Sequence, residues 1–266
     1  MTPDRIAAYL RRIGLDRAPK VTPEGLATLI EAHLLTVPFE NLDITLGRGI
    51  DLDRAHLFEK IVRQRRGGYC FELNGLFGDL LDALGFERRP VMARVWYRDP
   101  PETPPLTHTL NLVRFGGEEW MADVGFGGTT ARVPMLLKDG ATAADIDGDV
   151  RVIPKVGFGL LLQRKKPEGW ENQFSTTGET AHLADQIIGN HYTSTHPASH
   201  FTHAPLAGKF TLQGRDTLVG RTLNIRRGFD IETSTLDDTA VRHSLRTRFG
   251  LNLGKDEDAL VQTVST

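Results

Sequence analysis

The sequence predicts an α+β fold, chiefly because the spacing of its apolar residues changes near residue 88. Before that point, apolar residues recur at three- and four-residue steps, as on one face of a helix. From Pro90 onward they alternate with polar residues or form short runs, as strands do, and the last part of the chain is mixed. With 266 residues, 39% hydrophobic and 25% charged, the chain has enough apolar content for a packed core.

Three features place the expected helices. The segment from Cys70 has the strongest signal, because leucine and phenylalanine residues recur at helical spacing up to Leu84, and Gly85 suits a C-cap. Thr22 followed by Pro23 predicts an N-cap and a first helical residue. A further helix is expected to open at residues 52–53.

The expected strands begin at residues 91–96 and 106–115. Gly116-Gly117 predicts a hairpin turn, and residues 120–124 form the returning strand. Residues 139–149 are rich in Asp, Gly and Ala and are expected to form a surface loop.

Near the C-terminus, residues 210–213 and 222–225 are expected to be strands around a turn at residues 214–216. Residues 237–249 predict a helix that Asp237 or Asp238 caps.

Composition and charge exclude several classes of partner. The formal net charge is -2 and the pI is near 6.5, so there is no global basic field and nucleic acid is not expected as a main partner. A single cysteine rules out an intrachain disulfide. Because the N-terminus is amphipathic and charged and no apolar run reaches spanning length, we expect no membrane association and a cytoplasmic location.

The lone cysteine lies in Arg66-Gly67-Gly68-Tyr69-Cys70-Phe71-Glu72, between a glycine pair and the strongest helix. Glycines allow a tight backbone turn, which leaves Cys70 in the first turn of that helix. There the free N–H groups and the helix dipole favour a thiolate, the nucleophilic form of cysteine. The alternative is a small buried hydrophobic side chain without a chemical role.

A base and an orienting carboxylate are available on the predicted hairpin. If Gly116-Gly117 is a two-residue turn, His108 pairs with Gly125, and Asp123 lies two residues along on the same face. Asp123 stands in an otherwise apolar run, where a buried carboxylate needs a partner. Cys70, His108 and Asp123 are therefore candidates for nucleophile, base and orienting residue in acyl transfer through a thioester. A one-residue slip of the turn would separate His108 from Asp123.

Three segments now show a family resemblance: residues 66–72, His108-x-x-Leu, and Asp123-Val124-Gly125-Phe126-Gly127. Together they resemble the signature segments of the arylamine N-acetyltransferases. Residues 38–43 and 190–201 are similar to further segments of that family, so the resemblance covers nearly the whole chain.

The resemblance implies a fold with a cysteine-protease-like Cys-His-Asp core. It consists of a helical bundle (residues 1–87) carrying the nucleophile, a β-barrel-like domain (88–190) carrying His and Asp, and an α/β lid (191–266). It also implies a ping-pong reaction in which acetyl-CoA acetylates Cys70. An arylamine, arylhydrazine or arylhydroxylamine then takes the acetyl group. His108 would take the thiol proton, Asp123 would stabilise the imidazolium, and the Cys70 backbone N–H is a candidate donor to the oxyanion.

The resemblance also suggests contacts with the two substrates. It places CoA near the glycine-rich turn after Asp123, whose alternative role is that of a plain turn. The acceptor pocket is expected to be apolar and aromatic. The candidate CoA contacts are Thr107, Gly127, Gly128 and Thr129, and the candidate pocket residues are Phe39, Phe126 and Phe201.

Two charged or ligating groups receive a structural interpretation. His191, His196, His200 and His203 include one four-residue spacing, but Pro197 argues against a regular helix there, so no metal site is expected. Residues 63–66 form a basic run that is expected to be a solvated helix end, with attraction of CoA phosphates as the alternative.

Three alternative functions remain open from the sequence. A transglutaminase-like cysteine hydrolase uses the same residues in the same chain order, with water or a peptide amine as acceptor. A family-related amide synthase would use a longer acyl thioester instead of acetyl-CoA. A non-catalytic binding protein would keep Cys70 as a structural residue that resists alkylation.

Overall fold

The computed structural model describes residues 1–263 and has a mixed α/β architecture of helices and two antiparallel sheets. Residues 264–266, which belong to the last of the expected domains, lie outside the described residues. No helix among residues 1–263 is long and apolar enough to cross a membrane.

Helices dominate the N-terminal third. They are α1 (Pro3–Arg12), α2 (Pro23–Thr36), α3 (Leu42–Thr45), α4 (Arg54–Phe58), a π-helical turn (Glu59–Arg63) and α5 (Cys70–Leu84). The predicted cap of α2 is confirmed, because Thr22 Oγ1 accepts a hydrogen bond from the Gly25 N–H at 3.2 Å. Asp53 caps α4 in the same way, as its position after Leu52 indicated.

Helix α5 is the central element of this third. It begins at Cys70 and ends at Gly85, whose φ of +90° makes it the left-handed C-cap that the sequence predicted. Every residue from Cys70 to Phe77 is buried. The helix therefore lies inside the core, packed against α1 and α2, rather than over its surface.

An eight-stranded sheet follows α5 and is antiparallel throughout. Its spatial order is β5-β4-β3-β2-β9-β8-β7-β6, and because the edge strands β5 and β6 contact each other, it is a nearly closed barrel. The strands are β2 (Arg88–Val95), β3 (Leu106–Phe115), β4 (Glu118–Ala122), β5 (Met135–Leu136), β6 (Thr142–Ala143), β7 (Val150–Lys155), β8 (Gly159–Lys166) and β9 (Gly169–Thr176).

The hairpin register of β3 and β4 matches the sequence prediction. Phe115 pairs with Glu118 and Asn111 with Ala122, and both turn glycines, Gly116 and Gly117, have positive φ. Two such residues form the turn type that follows the right-handed twist of a hairpin. Extending this register places His108 and Asp123 on one face.

A second sheet of five strands joins the two ends of the chain, in the order β1-β10-β11-β12-β13. Its first strand comes from the helical third, and Phe39 pairs with Gly208 of β10. The strands are β1 (Phe39–Glu40), β10 (Leu206–Thr211), β11 (Gly214–Val219), β12 (Thr222–Arg227) and β13 (Asp230–Thr235).

The turn expected at residues 214–216 is wrong, because these residues begin β11. Asp216 is buried and forms ion pairs with Arg227 and Arg248, so tertiary contacts outweigh its local preference for a turn. The predicted helix near the C-terminus is confirmed as α7 (Asp238–Thr247), which Asp237 caps.

The surface loop expected at residues 139–149 is only partly exposed. It contains β6, and Asp147 is fully buried beside Arg132 and Arg215. Oppositely charged partners make this burial possible where composition alone indicated solvent.

Two further helices were not expected from the sequence. Helix α6 (Leu183–Thr195) continues through the boundary expected at residues 190 and 191, and α8 (Asp256–Thr263) follows α7. At Gly189 in α6, an added Cβ would lie 2.8 Å from Phe71 and Met92, so this helix packs tightly on α5 and β2.

His33, in α2, makes the stability of the fold sensitive to acid. It is fully buried between Tyr9 and Phe77, and burial lowers its pKa to about 3. Below pH 6.5, His33 therefore binds a proton in the unfolded state but not in the folded state. The free energy of unfolding consequently falls as the pH drops from 6.5 towards 3. We expect the free energy of unfolding to fall by about 2 kcal/mol from this group between pH 7 and pH 5.

His33→Leu tests this prediction by urea unfolding at the two pH values. The variant should lose less stability on acidification than the wild type, whereas His196→Leu at the exposed end of α6 should leave the difference unchanged. An identical acid response in wild type and His33→Leu would contradict the assignment.

Candidate active site

The segment before Cys70 is held by close backbone packing. A Cβ on Gly67 would lie 2.0 Å from the Pro38 carbonyl oxygen, and one on Gly68 would lie 2.8 Å from Glu72 Oε2. The glycine pair is thus needed for close approach, while the left-handed residue of this loop is Arg65, with φ of 57°. This differs from the tight glycine turn expected from the sequence.

A buried ionic network anchors the same segment. Arg66 Nε donates to Glu40 Oε1 at 2.9 Å, and Lys60 Nζ donates to Glu72 Oε1 at 2.7 Å and contacts Asp43 Oδ2 at 2.6 Å. Arg66 is therefore not a solvated helix end, and its charge is already matched by carboxylates. The carboxylates likewise raise the pKa of Arg66 despite its burial.

Cys70 is the first residue of α5 and is 3% exposed. Its thiol donates to the Thr107 carbonyl oxygen at a Sγ–O distance of 3.7 Å. Burial raises the pKa of the Cys70 thiol, against the opposing effect of backbone N–H groups at Thr109 and Phe71. Desolvation therefore opposes the thiolate that the helix terminus is expected to favour.

His108 and Asp123 form a buried pair next to the thiol. His108 Nε2 lies 2.7 Å from Asp123 Oδ2, and the two side chains are 3% and 9% exposed. The Cys70 thiol is hydrogen-bonded to the carbonyl of Thr107, which precedes His108 on β3. Helix α5 and strand β3 thus bring Cys70 close to His108 and Asp123. With Nε2 on the carboxylate, Nδ1 is the ring nitrogen that the carboxylate leaves available.

Asn74 completes the arrangement and was not found from the sequence. Its Nδ2 donates to Asp123 Oδ1 at 2.8 Å and to the Thr109 carbonyl at 2.7 Å, while its Oδ1 accepts from the Val124 N–H at 2.9 Å. It is 2% exposed. Its position four residues after Cys70, on the same face of an apolar helix, is the signal that identifies it.

Gly125 allows the helix to approach the carboxylate. An added Cβ there would lie 2.8 Å from both Cys70 Cα and Asn74 Nδ2. The Gly125 N–H donates to Asp123 Oδ1 at 2.8 Å, so the same residue also fixes the carboxylate.

Aromatic side chains form two groups, one of which lies against His108. Phe126 and Phe174 lie against His108, with ring centroids 4.9 and 5.1 Å from the imidazole. Phe39 and Phe201 lie against each other at 5.9 Å, and Phe201 also contacts Tyr69. The three predicted pocket residues thus fall into both groups, and Phe174 is an addition that the sequence did not reveal.

The glycine-rich turn after Asp123 lies beside these residues. Gly127 has φ of +78°, and an added Cβ would lie 3.6 Å from the Phe39 ring. Thr129 and Thr130 turn their carbonyls towards the fully buried Arg164, which donates to both. Thr107 presents its carbonyl to Cys70, and its hydroxyl contacts the Pro105 carbonyl at 3.5 Å.

The histidines near the end of α6 contact their own neighbours in the sequence. His196 stacks on Tyr192, His200 lies against Phe201, and His203 Nε2 contacts the Pro197 carbonyl at 2.6 Å. Within residues 1–263, no group of three or more His, Cys, Asp or Glu side chains has an arrangement that could hold a metal ion.

Comparison with known proteins identifies the family. An N-acetyltransferase family model matches residues 22–258. The chain is 39% identical over 254 residues to the arylamine N-acetyltransferase of Mycobacterium tuberculosis, which covers 93% of this chain and 89% of that protein.

This chain belongs to the arylamine N-acetyltransferase family. A Salmonella typhimurium relative, named arylamine N-acetyltransferase / N-hydroxyarylamine O-acetyltransferase, is 39% identical over 212 residues, 77% of this chain and 75% of that one. The solved structure of Mycobacterium marinum arylamine N-acetyltransferase in complex with CoA superposes with a TM-score of 0.92 at 35% identity. It covers 97% of this chain and 98% of that one.

Membership of the arylamine N-acetyltransferase family makes the chain an acyltransferase and confirms the resemblance seen in the sequence. The comparisons assign no role to individual residues.

Asn74→Ala is expected to damage both stability and activity. It removes bonds to Asp123 and Thr109 and leaves the buried Val124 N–H without an acceptor, at a cost of roughly 2–4 kcal/mol in unfolding free energy. The acyltransferase activity should fall by about tenfold or more, because the Asp123 carboxylate loses a donor. Asn172→Ala, at a partly exposed amide in β9, is the control; equal effects of the two substitutions would contradict the positioning role.

Gly125→Ala and Gly128→Ala form a matched pair. The first introduces a Cβ at 2.8 Å from Cys70 Cα and should destabilise the fold by about 1–3 kcal/mol. The second places its Cβ 3.5 Å from Arg215 Nε, an ordinary contact, and should change stability by less than about 1 kcal/mol. Thermal unfolding of both variants tests the difference, and equal melting temperatures would show that α5 does not approach the turn as described.

Proposed function

We propose that this acyltransferase moves an acetyl group from acetyl-CoA to the nitrogen of arylamines and arylhydrazines, or to the oxygen of arylhydroxylamines, through a thioester on Cys70. One observation carries the proposal. The only cysteine of the chain lies at the start of a buried helix, with its thiol against β3, the strand that carries His108, and His108 is paired with Asp123. The names of the relatives, including one with CoA bound, support the donor and the acceptor class.

The first half-reaction begins from a neutral thiol. Because burial raises the Cys70 pKa, the proton must leave as the sulfur attacks, and His108 Nδ1 is the base in this proposal. The sulfur bonds to the acetyl carbon, and the imidazolium is stabilised by Asp123. The Cys70 backbone N–H is the proposed donor to the oxyanion. Collapse of the tetrahedral intermediate breaks the bond to the CoA sulfur, which leaves with the proton from His108.

The second half-reaction reverses the roles with a different nucleophile. The acceptor nitrogen or oxygen attacks the thioester carbon, and His108 takes the proton that the acceptor loses. The C–S bond to Cys70 breaks, and the thiol recovers its proton from the imidazolium. Each half-reaction therefore begins and ends with a neutral His108 and a carboxylate at Asp123.

The fold also supports places for the two substrates. Phe126 borders His108 and is partly exposed, as is Phe201 beside Tyr69, so an aryl ring can stack near the thioester. We propose these residues, with Phe39, as the acceptor pocket. Thr107 and the turn at Gly127, Gly128 and Thr129 are the proposed neighbours of CoA, because this turn lies directly after the Asp123 segment.

The domain division enters the same proposal. We propose a helical bundle (residues 1–87) that supplies Cys70, a barrel-like domain (88–190) that supplies His108 and Asp123, and a lid (191–266) that covers them. The Tyr69 hydroxyl bonds to Asn190 at the end of the barrel-like domain, and Asn41 Nδ2 donates to the Phe201 carbonyl of the lid at 2.8 Å, so the first segment contacts both of the others directly.

Intact-mass measurement tests the covalent scheme. Wild-type protein mixed with acetyl-CoA alone should gain one acetyl group, which aniline discharges, whereas Cys70→Ala should gain none. Asp123→Asn should acetylate about 10³- to 10⁴-fold more slowly, because the wrong histidine tautomer is then favoured. His196→Gln, outside the site, is the matched control for a histidine change.

The other functions make different predictions in the same experiment. An amide synthase would remain unmodified with acetyl-CoA but gain mass from longer acyl thioesters, and a hydrolase would discharge its thioester to water as fast as to aniline. If Cys70 has an unmodified thiol and takes up no acyl group from any thioester, the proposal is wrong.

A further inference from the structure

The hydrogen bond between His108 and Asp123 leaves the plane of the imidazole ring poorly fixed. Within residues 1–263, Asp123 is the hydrogen-bond partner of the ring, with Nε2 at 2.7 Å from Oδ2. Nε2 lies close to the axis of the Cβ–Cγ bond, so rotation about this bond moves Nε2 little but swings Nδ1 through a wide arc. The energy wells of this torsion are broad in histidine. The direction of Nδ1 therefore depends on further contacts.

Two phenylalanine rings supply these contacts. The centroid of Phe126 lies 4.9 Å from that of the imidazole with the ring planes at 66°, and the centroid of Phe174 lies 5.1 Å away with the planes at 48°. The two phenyl rings also contact each other at 5.0 Å. Each of the three rings thus contacts the other two. In a closely packed interior, the imidazole cannot turn unless a phenyl ring moves.

The two phenylalanines differ in how firmly they are held. Phe126 is partly exposed and belongs to the glycine-rich turn after Asp123. Phe174 is 2% exposed and belongs to the core of the barrel, in the same cluster as Val150, Val152 and Leu162. Phe174 is therefore the fixed wall against the imidazole, and Phe126 is the wall on the accessible side.

The register of the barrel brings Phe174 to the imidazole from two strands away. On β2, Ala93 pairs with His108 of β3, and Val95 pairs with Phe174 of β9. Ala93 and Val95 lie on the same face of β2, so His108 and Phe174 share that face. Ala93 is completely buried, and its small side chain leaves room for the two rings to meet above it.

Hydrogen bonds on both sides of Phe174 hold β9 against β2. The two strands pair over only two positions, one of which is Phe174. Trp96 donates from its backbone N–H to the Gln173 carbonyl and from Nε1 to Ser175 Oγ, both at 2.8 Å. Thr176 Oγ1 donates to a carbonyl of β2 at 2.9 Å. These bonds fix the backbone that carries the phenyl ring.

We infer that Phe174 is a positioning residue for the base: its ring fixes the plane of the His108 imidazole, so that Nε2 stays on Asp123 while Nδ1 is directed to the Cys70 sulfur. The inference rests on the proposed function for the role of His108 as the base. Displacement of a reacting group by about 1 Å can slow a reaction by about 10²-fold, so the orientation of the ring matters for the rate. The same imidazole moves the proton in both half-reactions, and the wall serves both.

Phe174→Leu tests the inference, because it keeps an apolar side chain but removes the flat ring. The maximal rate of Cys70 acetylation, followed by intact mass in a single turnover, should fall about tenfold to hundredfold, and discharge to aniline should slow similarly. The acetyl-CoA concentration that gives half of this rate should stay close to that of the wild type, because Phe174 contacts the base and not the donor. Phe174→Met, which also lacks a flat ring but adapts to irregular space, should give the same result.

Phe249→Leu is the matched control, since it makes the same change at a fully buried phenylalanine in another hydrophobic cluster, with Val241 and Leu245. It should lower the melting temperature to a similar extent but acetylate Cys70 at close to the wild-type rate. Wild-type acetylation by Phe174→Leu and Phe174→Met would overturn the inference. Equal slowing in Phe249→Leu would do the same, as would a higher half-saturating concentration with an unchanged maximal rate.

NMR of the histidine rings separates this inference from the proposed function. With 15N-labelled histidine, the His108 signals are assigned by their loss in His108→Gln. Wild-type His108 should carry its proton on Nε2 and none on Nδ1, whereas Phe174→Leu should show a mixture of both tautomers, because a ring that turns offers either nitrogen to Asp123.

This NMR result does not depend on acetyl transfer. If no thioester acylates Cys70 while the tautomers differ as expected, the proposed function fails and the orientation of His108 by Phe174 stands. Identical His108 signals in the wild type, Phe174→Leu and Phe174→Met would refute the inference even in an active enzyme. A mixture of tautomers in the wild type itself would also refute it.

Discussion

A carboxylate that has been removed from water must find partners, and Asp123 finds them on three different elements. His108 in β3 lies against Oδ2, while Asn74 in α5 and the Gly125 backbone donate to Oδ1. Without these donors, burial of the charge would cost several kcal/mol. The requirement to satisfy one carboxylate therefore fixes the distance between helix and barrel, and with it the place of Cys70.

The position of the Cys70 thiol and its burial have opposite effects on its pKa. The start of a helix favours negative charge, yet the surroundings of Cys70 exclude water and raise its pKa. In the proposed mechanism, the sulfur loses its proton to the imidazole as it attacks, a step that a free thiolate would not require.

The charged side chains in the loop before Cys70 are paired differently from those on the face of the second sheet. Around the loop before Cys70, the buried cations Lys60 and Arg66 have carboxylate partners, and this network anchors the backbone. On the face of the second sheet, Arg215 Nη1 faces Asp147 Oδ2 at the longer distance of 3.6 Å, and neither atom has a hydrogen-bond partner among the described residues. The closely bonded first network suits a structural role.

The sequence alone determined the elements whose signals are local. The cap at Thr22, the start of α5 at Cys70 and the glycine C-cap depend on neighbouring residues, and the glycine turn set the hairpin register that unites His108 with Asp123. The class of chemistry and the family follow from these few segments.

Only the tertiary structure decided features that depend on partners distant in the chain. Residues 214–216 look like a turn yet form a strand, because Asp216 meets Arg248, and Arg66 looks solvated yet meets Glu40. The burial of the Cys70 thiol, the bonds of Asn74 and the burial of Arg215 beside Asp147 were equally hidden. Each depends on the extent to which the packed side chains exclude water and on which charged groups the fold brings together. Neither can be deduced from the order of the residues.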